Sequence, residues 1–401
     1  MNRHSDIVVV GAGPAGLSFA RTLADSGLRI TIVEKSPLES ISNPAYDGRE
    51  IALTHLSKEI MERLGMWQRV PENEIYPLRD AKVWNGSSSY QLHFPQPTQA
   101  RGGATDRLGN LISNHNIRKA AYDAVAEQDN VTLLAGVGVK EARTDADGAY
   151  ITLDNGEQLT ARLLVVADSR FSQTRRQIGI SADMHDFGRT MLVCQMTHEV
   201  PHNHVAWEWF DYGQTLALLP MNDDPVTGEH RASTVLTLPH QRIEPLLTMD
   251  EAAFGEEMSR RYHGRLGRMQ LTSTRHSYPL VGVMPHRLVS RRFACVGDAA
   301  VGMHPVTAHG FNFGLLSIDT LAEELRTAHA SGKDIGSPDL LARYERRHML
   351  ATRPLYEITG LIARLYTTDS APARLLRDAA LHAAQRLTPF KRLVAATLAG
   401  H

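Results

Sequence analysis

The chain has 401 residues, of which 42% are hydrophobic and 22% charged, and these proportions exclude the disordered and fibrous classes. This length allows two or three domain-sized units, and a formal net charge of -1 gives no electrostatic reason to expect a nucleic-acid partner. The only two cysteines, Cys194 and Cys295, exclude a disulfide framework and a cysteine-rich metal site. They suit a reducing compartment.

The N-terminus is short and polar, without the basic start and apolar stretch of a secretory signal. No run of apolar residues in the sequence approaches the length that spans a bilayer. The sequence therefore predicts a cytoplasmic protein, and it leaves open an attachment to a membrane surface.

The first 34 residues carry a complete nucleotide-binding pattern. Residues 7–10, Ile-Val-Val-Val, predict a parallel strand buried on both faces. The glycine-rich turn 11–16 follows, then a predicted helix over 17–25 and a second strand over 30–33 that ends in Glu34. A glycine-rich turn of some unrelated α/β protein is the alternative, but these parts occur in the order that a dinucleotide-binding unit requires.

Each residue of this pattern has a physical role. Gly11 permits the tight turn, Gly13 lets the backbone approach a pyrophosphate, and Gly16 lets the helix pack against the strand. The pyrophosphate then lies at the positive end of the helix. Glu34 is suited to a ribose hydroxyl and would repel a 2′-phosphate, which favours FAD or NAD over NADP at this site. The predicted cofactor-binding residues here are Gly11, Gly13, Ala15, Gly16, Glu34 and Lys35.

The middle of the chain supplies two further candidate segments. A helix is predicted over 111–125, and on it Arg118 either reaches a cofactor or belongs to a solvated face. Residues 161–168 predict a buried strand that ends in Asp168, with Ser172 and Arg175 following. On its own, this second segment would be a plain buried strand and turn.

Other parts of the chain alternate apolar and polar residues, for example 216–219 and 234–238. This alternation predicts an antiparallel sheet that forms the floor of a substrate pocket. The predicted division of the chain is a discontinuous cofactor domain over 1–75, 101–180 and 275–350, a substrate-binding sheet domain over 76–100 and 181–274, and a C-terminal helical region over 351–401.

A second nucleotide motif lies far along the chain. Residues 292–296 predict a buried strand that ends at Gly297-Asp298-Ala299-Ala300. His304-Pro305 and the loop Gly310-Phe311-Asn312-Phe313-Gly314 follow, and then a helix-like segment over 315–325. The carboxylate of Asp298 is suited to accept hydrogen bonds from polyol hydroxyls. Backbone N–H groups at the start of the helix would stabilise negative charge on a reduced flavin.

The two motifs together resemble those of the FAD-dependent aromatic hydroxylases, the group that includes p-hydroxybenzoate hydroxylase. The resemblance implies an α/β fold with a Rossmann-like FAD domain of the two-dinucleotide-fold type, an inserted antiparallel-sheet substrate domain and C-terminal helices. It places Asp298 at the ribityl chain of FAD. It places Pro305, Gly310 and Asn312 near the flavin and implies that Gly297 and Phe311 also bind the cofactor. Residues 161–168 resemble the family's strand that supports both FAD and the nicotinamide cofactor, which makes Asp168 a further cofactor-binding candidate. Val301 and His309 stand where the family usually has histidine and glutamine, so details of the ring environment stay open.

Less specific motifs resemble those of one branch of this family, the hydroxylases of ubiquinone biosynthesis. They are residues 46–53 around Arg49, residues 207–210 and 216–220, Tyr278-Pro279-Leu280 and the ending 387–392. The resemblance implies that the protein hydroxylates a phenolic ring, with a polyprenylated phenol as the substrate. The reaction would use NADPH or NADH together with O2 and proceed through a flavin C4a-hydroperoxide. It makes Arg49 a candidate contact for FAD or for the nicotinamide cofactor, with a surface ion pair as the alternative. His304 and Pro305 would then lie beside the flavin ring, His304 as a general base or as a structural hydrogen-bonding group.

Several alternatives remain at this point. The protein could hydroxylate a small soluble aromatic, act as a flavin reductase or dehydrogenase without oxygen insertion, or serve as a non-enzymatic flavoprotein subunit of a quinone-synthesis complex. His198, His202 and His204 invite a metal hypothesis, but they lack a recognised ligand pattern, so we expect no metal. The basic, apolar C-terminal segment suits either contact with a membrane surface or packing on the FAD domain. The sequence leaves the oligomeric state open.

Overall fold

The computed structural model describes residues 2–86, 91–95, 99–100, 103–211, 213–304 and 310–367. The strands in this part of the chain are β1 (Asn2–Val10), β2 (Ile30–Glu34), β3 (Glu50–Leu53), β4 (Tyr76–Leu78), β5 (Asp80–Asn85), β6 (Gln91–Phe94), β7 (Gln99–Ala100), β8 (Gly103–Ala104), β9 (Gly109–Ser113), β10 (Val131–Ala135), β11 (Val139–Thr144), β12 (Ala149–Leu153), β13 (Gln158–Val166), β14 (Ala182–His198), β15 (Val205–Asp211), β16 (Gln214–Pro220), β17 (His230–Pro239), β18 (Met269–Leu271), β19 (His276–Pro285), β20 (Val289–Ser290) and β21 (Phe293–Cys295). The α-helices are α1 (Pro14–Thr22), α2 (Leu38–Ser42), α3 (His55–Arg63), α4 (Asn114–Ala126), α5 (Gln173–Gln177), α6 (Glu244–Thr248), α7 (Glu251–Arg261), α8 (Gly310–Ala330) and α9 (Pro338–Thr367).

The first sheet has the order β10-β2-β1-β13-β12-β11, with β21 beside β13 and β20 beside β21. Its centre is parallel, because β1 pairs in parallel with both β2 and β13, and β13 pairs in parallel with β21. Ile7, Val8 and Val9 are fully buried, as expected for a strand that is buried on both faces. The predicted strands over 7–10 and 30–33 are therefore confirmed as parts of β1 and β2. The strand predicted over 161–168 is found in β13, which ends two residues earlier, at Val166.

The second sheet has the order β18-β14-β17-β16-β15-β5-β6, with β19 also paired to β14. Apart from one pair its neighbours are antiparallel, as the alternation predicted. The exception is β15, which runs parallel to β5, a strand far from it in the chain. One face of this sheet packs on a separate hydrophobic core that includes Trp209, Leu216 and Leu236. The opposite face lines a cavity together with residues that follow the strands of the first sheet.

Between the two sheets lies a small sheet of order β3-β9-β4. The helix predicted over 111–125 begins later, at Asn114, because Leu111 to Ser113 belong to β9. In contrast, α1 begins earlier than predicted, with Pro14 at its first positions, where a fixed φ suits a helix start. The helix predicted over 315–325 is longer on both sides, as α8.

Strand alternation would place His202 and His204 on one face of a strand, but the structure places neither of them in a strand. His202 and His204 lie in the turn before β15, and His204 has a positive φ of 59°. Among the described residues no group of three metal-ligating side chains converges. A helix sufficiently long and apolar to cross a bilayer is likewise not found within the described ranges. The C-terminal residues from 368 onward, including the basic segment singled out above, lie outside the described residues.

Candidate active site

The first glycine turn is shaped by two close approaches of the backbone. Gly11 has a φ of +106°, a conformation that side chains rarely allow, and its N–H donates to the carbonyl of Val33 at 2.8 Å. A Cβ added to Gly16 would lie 1.9 Å from the carbonyl oxygen of Gly11. A Cβ added to Gly13 would meet nothing within 4 Å. The turn is thus closed on its inner side and open where Gly13 begins α1, as a pyrophosphate requires.

The acid at the end of β2 contributes to this turn. One carboxylate oxygen of Glu34 accepts the N–H of Ala12 at 2.8 Å, and the other accepts that of Ser36 at 2.9 Å. Lys35 is exposed. Glu34 therefore fixes the turn and leaves its remaining acceptor positions for a ribose.

A cavity of about 500 Å³ runs from this turn to the second sheet. The predicted site residues that line it are Gly13, Ala15, Arg49, Arg118, Asp168, Gly297, Asp298, His304, Gly310 and Phe311. The structure brings these residues together from five separate segments of the chain. Gly11, Gly16, Glu34, Lys35 and Asn312 are not among its lining residues, and Pro305 and His309 lie outside the described residues.

The two FAD motifs touch each other at this cavity. Gly297 has a φ of +60°, and a Cβ at this position would lie 2.6 Å from the Cβ of Ala15. The N–H of Gly297 donates to the hydroxyl of Ser317 in α8 at 3.0 Å. Asp298 follows directly and accepts a hydrogen bond from the guanidinium of Arg170 at 2.7 Å. No sequence signal pointed to Arg170 except its place shortly after Asp168.

Asp168 lies between the two motifs. Its carboxylate accepts the hydroxyl of Ser172 at 3.0 Å and the N–H of Ser169 at 2.9 Å, while burial raises its pKa. The fully buried Arg175 donates to the carbonyls of Ala299 and Arg170. This segment therefore ties the end of β13 to the second FAD motif.

Arg49 is held at the cavity by Asp47 and Tyr278. Its Nη2 lies 2.6 Å from Oδ2 of Asp47, and its guanidinium lies 5.1 Å from the ring centre of Tyr278. Asp47 also accepts the amide of Asn114 at 2.7 Å. Burial alone would raise the pKa of Asp47, but the hydrogen bond and charge of Arg49 bring that pKa below its usual range. The ion pair predicted as the alternative for Arg49 is present, yet the guanidinium still faces the cavity. Arg118 also lines the cavity, and it donates to the carbonyl of Ser40 at 3.2 Å.

The start of α8 is anchored to β3. Asn312 accepts the N–H of Thr54 at 3.0 Å and donates to the carbonyl of Ala52 at 2.8 Å. We infer that Asn312 positions this helix start, with Gly310 and Phe311 facing the cavity.

His304 is neutral in this environment. Burial lowers the pKa of its imidazole to about 4, and the ring packs edge-on against Phe187 at 4.7 Å between centroids. A neutral imidazole can accept a proton, although so low a pKa makes it a weak base.

The far wall of the cavity is one face of the second sheet. The residues on it are Met191 and Val193 of β14, Glu208 and Phe210 of β15, Thr215, Ala217 and Leu219 of β16, and Val235 and Thr237 of β17. The sequence predicted two of these four strands, at 216–219 and 234–238, but Glu208 and the nearby Glu50 were missed as site residues. Burial raises the pKa of each carboxyl to about 8. The available signal for Glu208 was a lone acid that alternates with Trp207 and Trp209 along a strand.

These features fit FAD. An open glycine turn begins a helix whose N-terminus no described side chain caps, and a carboxylate stands at the second motif of the same cavity. The cavity then continues to an apolar wall, where a flavin ring and a ring substrate can meet.

Comparison with known proteins agrees with this geometry. Residues 4–356 match the family described as FAD binding domain. The ubiquinone hydroxylase UbiM of Neisseria meningitidis serogroup C is 55% identical over all of this chain and 86% of its own length. This chain belongs to the ubiquinone-hydroxylase branch of the FAD-dependent aromatic hydroxylases. The ubiquinone hydroxylase UbiL of Rhodospirillum rubrum is 34% identical over 98% of the chain and 89% of its own length.

Solved structures show the same fold. The p-nitrophenol 4-monooxygenase PnpA of Pseudomonas putida DLL-E4 aligns with a TM-score of 0.78 at 17% identity, over 100% of this chain and 99% of its own. PqsL of Pseudomonas aeruginosa, a probable FAD-dependent monooxygenase, aligns with a TM-score of 0.74 at 20% identity, over 95% of this chain and 100% of its own. The predicted family, α/β fold, FAD cofactor and NAD(P)H co-substrate are confirmed.

Proposed function

We propose that this protein is an FAD-dependent monooxygenase that uses NAD(P)H and O2 to hydroxylate the ring of a polyprenylated phenol in ubiquinone biosynthesis. The observation that carries the proposal is one continuous cavity, with both FAD motifs at one end and an apolar sheet face at the other. Its relatives named ubiquinone hydroxylases support the choice of substrate.

When bound, FAD supplies the redox chemistry that activates oxygen for transfer to an electron-rich ring. The protein's own residues bind the cofactor, hold the ring in position and keep water out. Gly13 and the start of α1 would receive the pyrophosphate, Asp298 the ribityl hydroxyls, and Gly310 with Phe311 the flavin end. We propose that Arg49 contacts FAD or the incoming nicotinamide cofactor, since Asp47 and Tyr278 hold its guanidinium at the cavity.

The apolar wall of the cavity suits the substrate end of this proposal. Met191, Val193, Leu219 and Val235 give a surface against which an aromatic ring and the first unit of a prenyl chain can bury apolar area. A small, strongly hydrated aromatic acid would leave this surface unused.

The experiment is the lipid-quinone profile, by mass spectrometry, of a host that lacks this gene and any redundant hydroxylase. We expect an under-hydroxylated prenyl phenol to accumulate, and to be cleared by the wild-type protein but not by Asp298→Ala. Purified holoenzyme should then convert that phenol with one oxygen atom from ¹⁸O2. NAD(P)H oxidation without any oxygen in the product would instead indicate a reductase, and an unchanged lipid profile would contradict the quinone assignment.

We also propose a cytoplasmic protein that works in contact with a membrane surface and with other enzymes of quinone synthesis. Both cysteines are free thiols, which suits a reducing compartment. Leu350, Ile358 and Leu361 of α9 are exposed and recur at helical spacing, so they offer an apolar stripe for lipid. Co-flotation of the full chain with anionic vesicles, and its loss in a Leu350→Ser/Leu361→Ser variant, tests this contact.

A further inference from the structure

Glu208 occupies an unusual place on the wall of the cavity. It lies in a row of side chains across the second sheet that is otherwise aliphatic, since Val193 pairs with Val235, Val235 with Ala217, and Ala217 with Glu208. On its other side Glu208 pairs with Val83 of β5. Paired side chains of this kind lie about 5 Å apart, so the carboxyl is flanked by hydrocarbon on both sides.

The carboxyl group faces the cavity and has no hydrogen-bond or ion-pair partner among the described residues. Its neighbours along the strand, Trp207 and Trp209, point to the opposite face of the sheet, where they contact the second core. Burial alone raises the pKa of Glu208 to about 8, with no charged neighbour contributing. At neutral pH the group is therefore an uncharged acid, with one O–H donor and one carbonyl acceptor aimed at the ligand space.

The charged groups of the cavity lie on other elements. Arg49, Arg118, Asp168, Arg170 and Asp298 also line it, and Arg49 and Arg170 are each neutralised by an adjacent carboxylate. None of these residues belongs to the sheet face that carries Glu208. An anionic ring substituent placed there would lose its hydration without gaining a cation, which is costly.

We propose that Glu208 is the specificity-determining residue for the ring, and that it selects a ring that carries a neutral hydroxyl or ether oxygen at this wall and rejects a ring that carries a carboxylate. Its acid form donates a hydrogen bond to the ring oxygen and accepts one from a ring hydroxyl. This inference deepens the proposed function and rests on it for the substrate class. It implies that the reaction supplying the substrate has already removed, or never introduced, a ring carboxylate at the position that meets Glu208.

The test measures ligand binding by the perturbation of flavin absorbance in the oxidised holoenzyme, so it does not depend on turnover. The probes are 2-prenylphenol, its methyl ether, and 3-prenyl-4-hydroxybenzoate, which is the same phenol with a carboxylate added. We expect the wild type to bind the first two and to discriminate against the carboxylate at least about a hundredfold.

The ether can only accept a hydrogen bond, so it requires the protonated form of Glu208. Its affinity for the wild type should fall about tenfold for each pH unit above 8. In Glu208→Gln, whose amide donates at every pH, this decline should disappear while binding at pH 7 is kept. Glu50 lines the same cavity and titrates in the same range, because burial raises its pKa to about 8. The matched control is therefore Glu50→Gln, in which the decline should remain.

Three results would overturn the inference. They are equal affinity for the phenol and its carboxylate, persistence of the pH-dependent decline in Glu208→Gln, and failure of the neutral rings to bind at any pH. If the neutral rings bind as expected but no hydroxylated product forms with NAD(P)H and O2, the proposed function is wrong and the binding specificity stands.

Discussion

Alanine substitutions at two glycines of the first turn should affect different properties: one should lower the stability of the fold and the other the affinity for FAD. In Gly16→Ala the new Cβ would lie 1.9 Å from the carbonyl oxygen of Gly11, whereas real Cβ contacts stay above 3.0 Å. The backbone of Gly11, already at a φ of +106°, would have to move by more than about 1 Å, which overpacking measurements place at about 3 kcal/mol. We expect Gly16→Ala to lose that much stability even without cofactor.

Gly13→Ala should behave in the opposite way. Gly13 has φ −72° and ψ 178°, which alanine adopts freely, and its Cβ would enter open space. The apoprotein should keep its stability or gain about 0.4–1 kcal/mol through the unfolded chain. The same Cβ occupies the space that a pyrophosphate needs to reach the backbone. Loss of one charge-assisted hydrogen bond of about 1.5–3 kcal/mol lowers FAD affinity about tenfold to a hundredfold.

Urea unfolding of the two apoproteins and quenching of flavin fluorescence during FAD titration measure the two effects separately. Unchanged FAD affinity in Gly13→Ala would refute the assignment of the pyrophosphate to this turn. An apoprotein of Gly13→Ala as unstable as that of Gly16→Ala would refute the steric reasoning.

Three further expectations concern Asp298, the buried acid Glu50 and the two buried thiols. Asp298→Ala should lower FAD occupancy, measured as the ratio of flavin to protein absorbance, whereas Asp319→Ala, which removes a carboxylate on α8, should not. Equal occupancy in both variants would remove Asp298 from the cofactor site. Glu50→Gln should stabilise the protein relative to wild type by an amount that grows as pH rises from 4.5 to about 8, by about 1.4 kcal/mol per pH unit. The reason is that the Glu50 carboxyl of the wild type ionises freely in this range only when the protein is unfolded. A stability difference that does not change with pH would contradict the burial of this carboxyl. Cys194 and Cys295 are fully buried, and burial raises the pKa of the Cys194 thiol to about 11 and that of the Cys295 thiol further. Neither thiol should therefore react with a thiol reagent before the protein unfolds, and labelling of the native protein would contradict their burial.

The FAD end of the site could be predicted from the sequence because it is built from short, continuous segments. A strand, a glycine turn and a helix follow one another within 22 residues, and each glycine has a local steric reason. The two helix starts that were predicted wrongly, those of α1 and α4, also have local causes. Pro14 began α1 earlier than the apolar pattern suggested, and residues 111–113 satisfied a helical pattern although they pair with β3 and β4 in the small sheet.

The substrate end could not be predicted in the same way. Its wall takes alternate residues from four strands, and which of the two faces turns toward the FAD motifs depends on packing between the sheets. The parallel pairing of β5 with β15 joins residues that are 125 positions apart, which no local pattern indicates. Arg170, Glu50 and Glu208 were missed because their significance lies in what surrounds them.

This difference also explains how one fold can serve many ring substrates. At the FAD end, backbone groups and glycines do the binding, so the steric demands at Gly11 and Gly16 leave little freedom in sequence. At the sheet wall, a side chain such as Glu208 can be exchanged without disturbing strand pairing, because its pairing partners Ala217 and Val83 bond through the backbone. Specificity in this branch should therefore be sought on that wall, and the solitary carboxyl among aliphatic neighbours is the position at which one substitution changes the ring that fits.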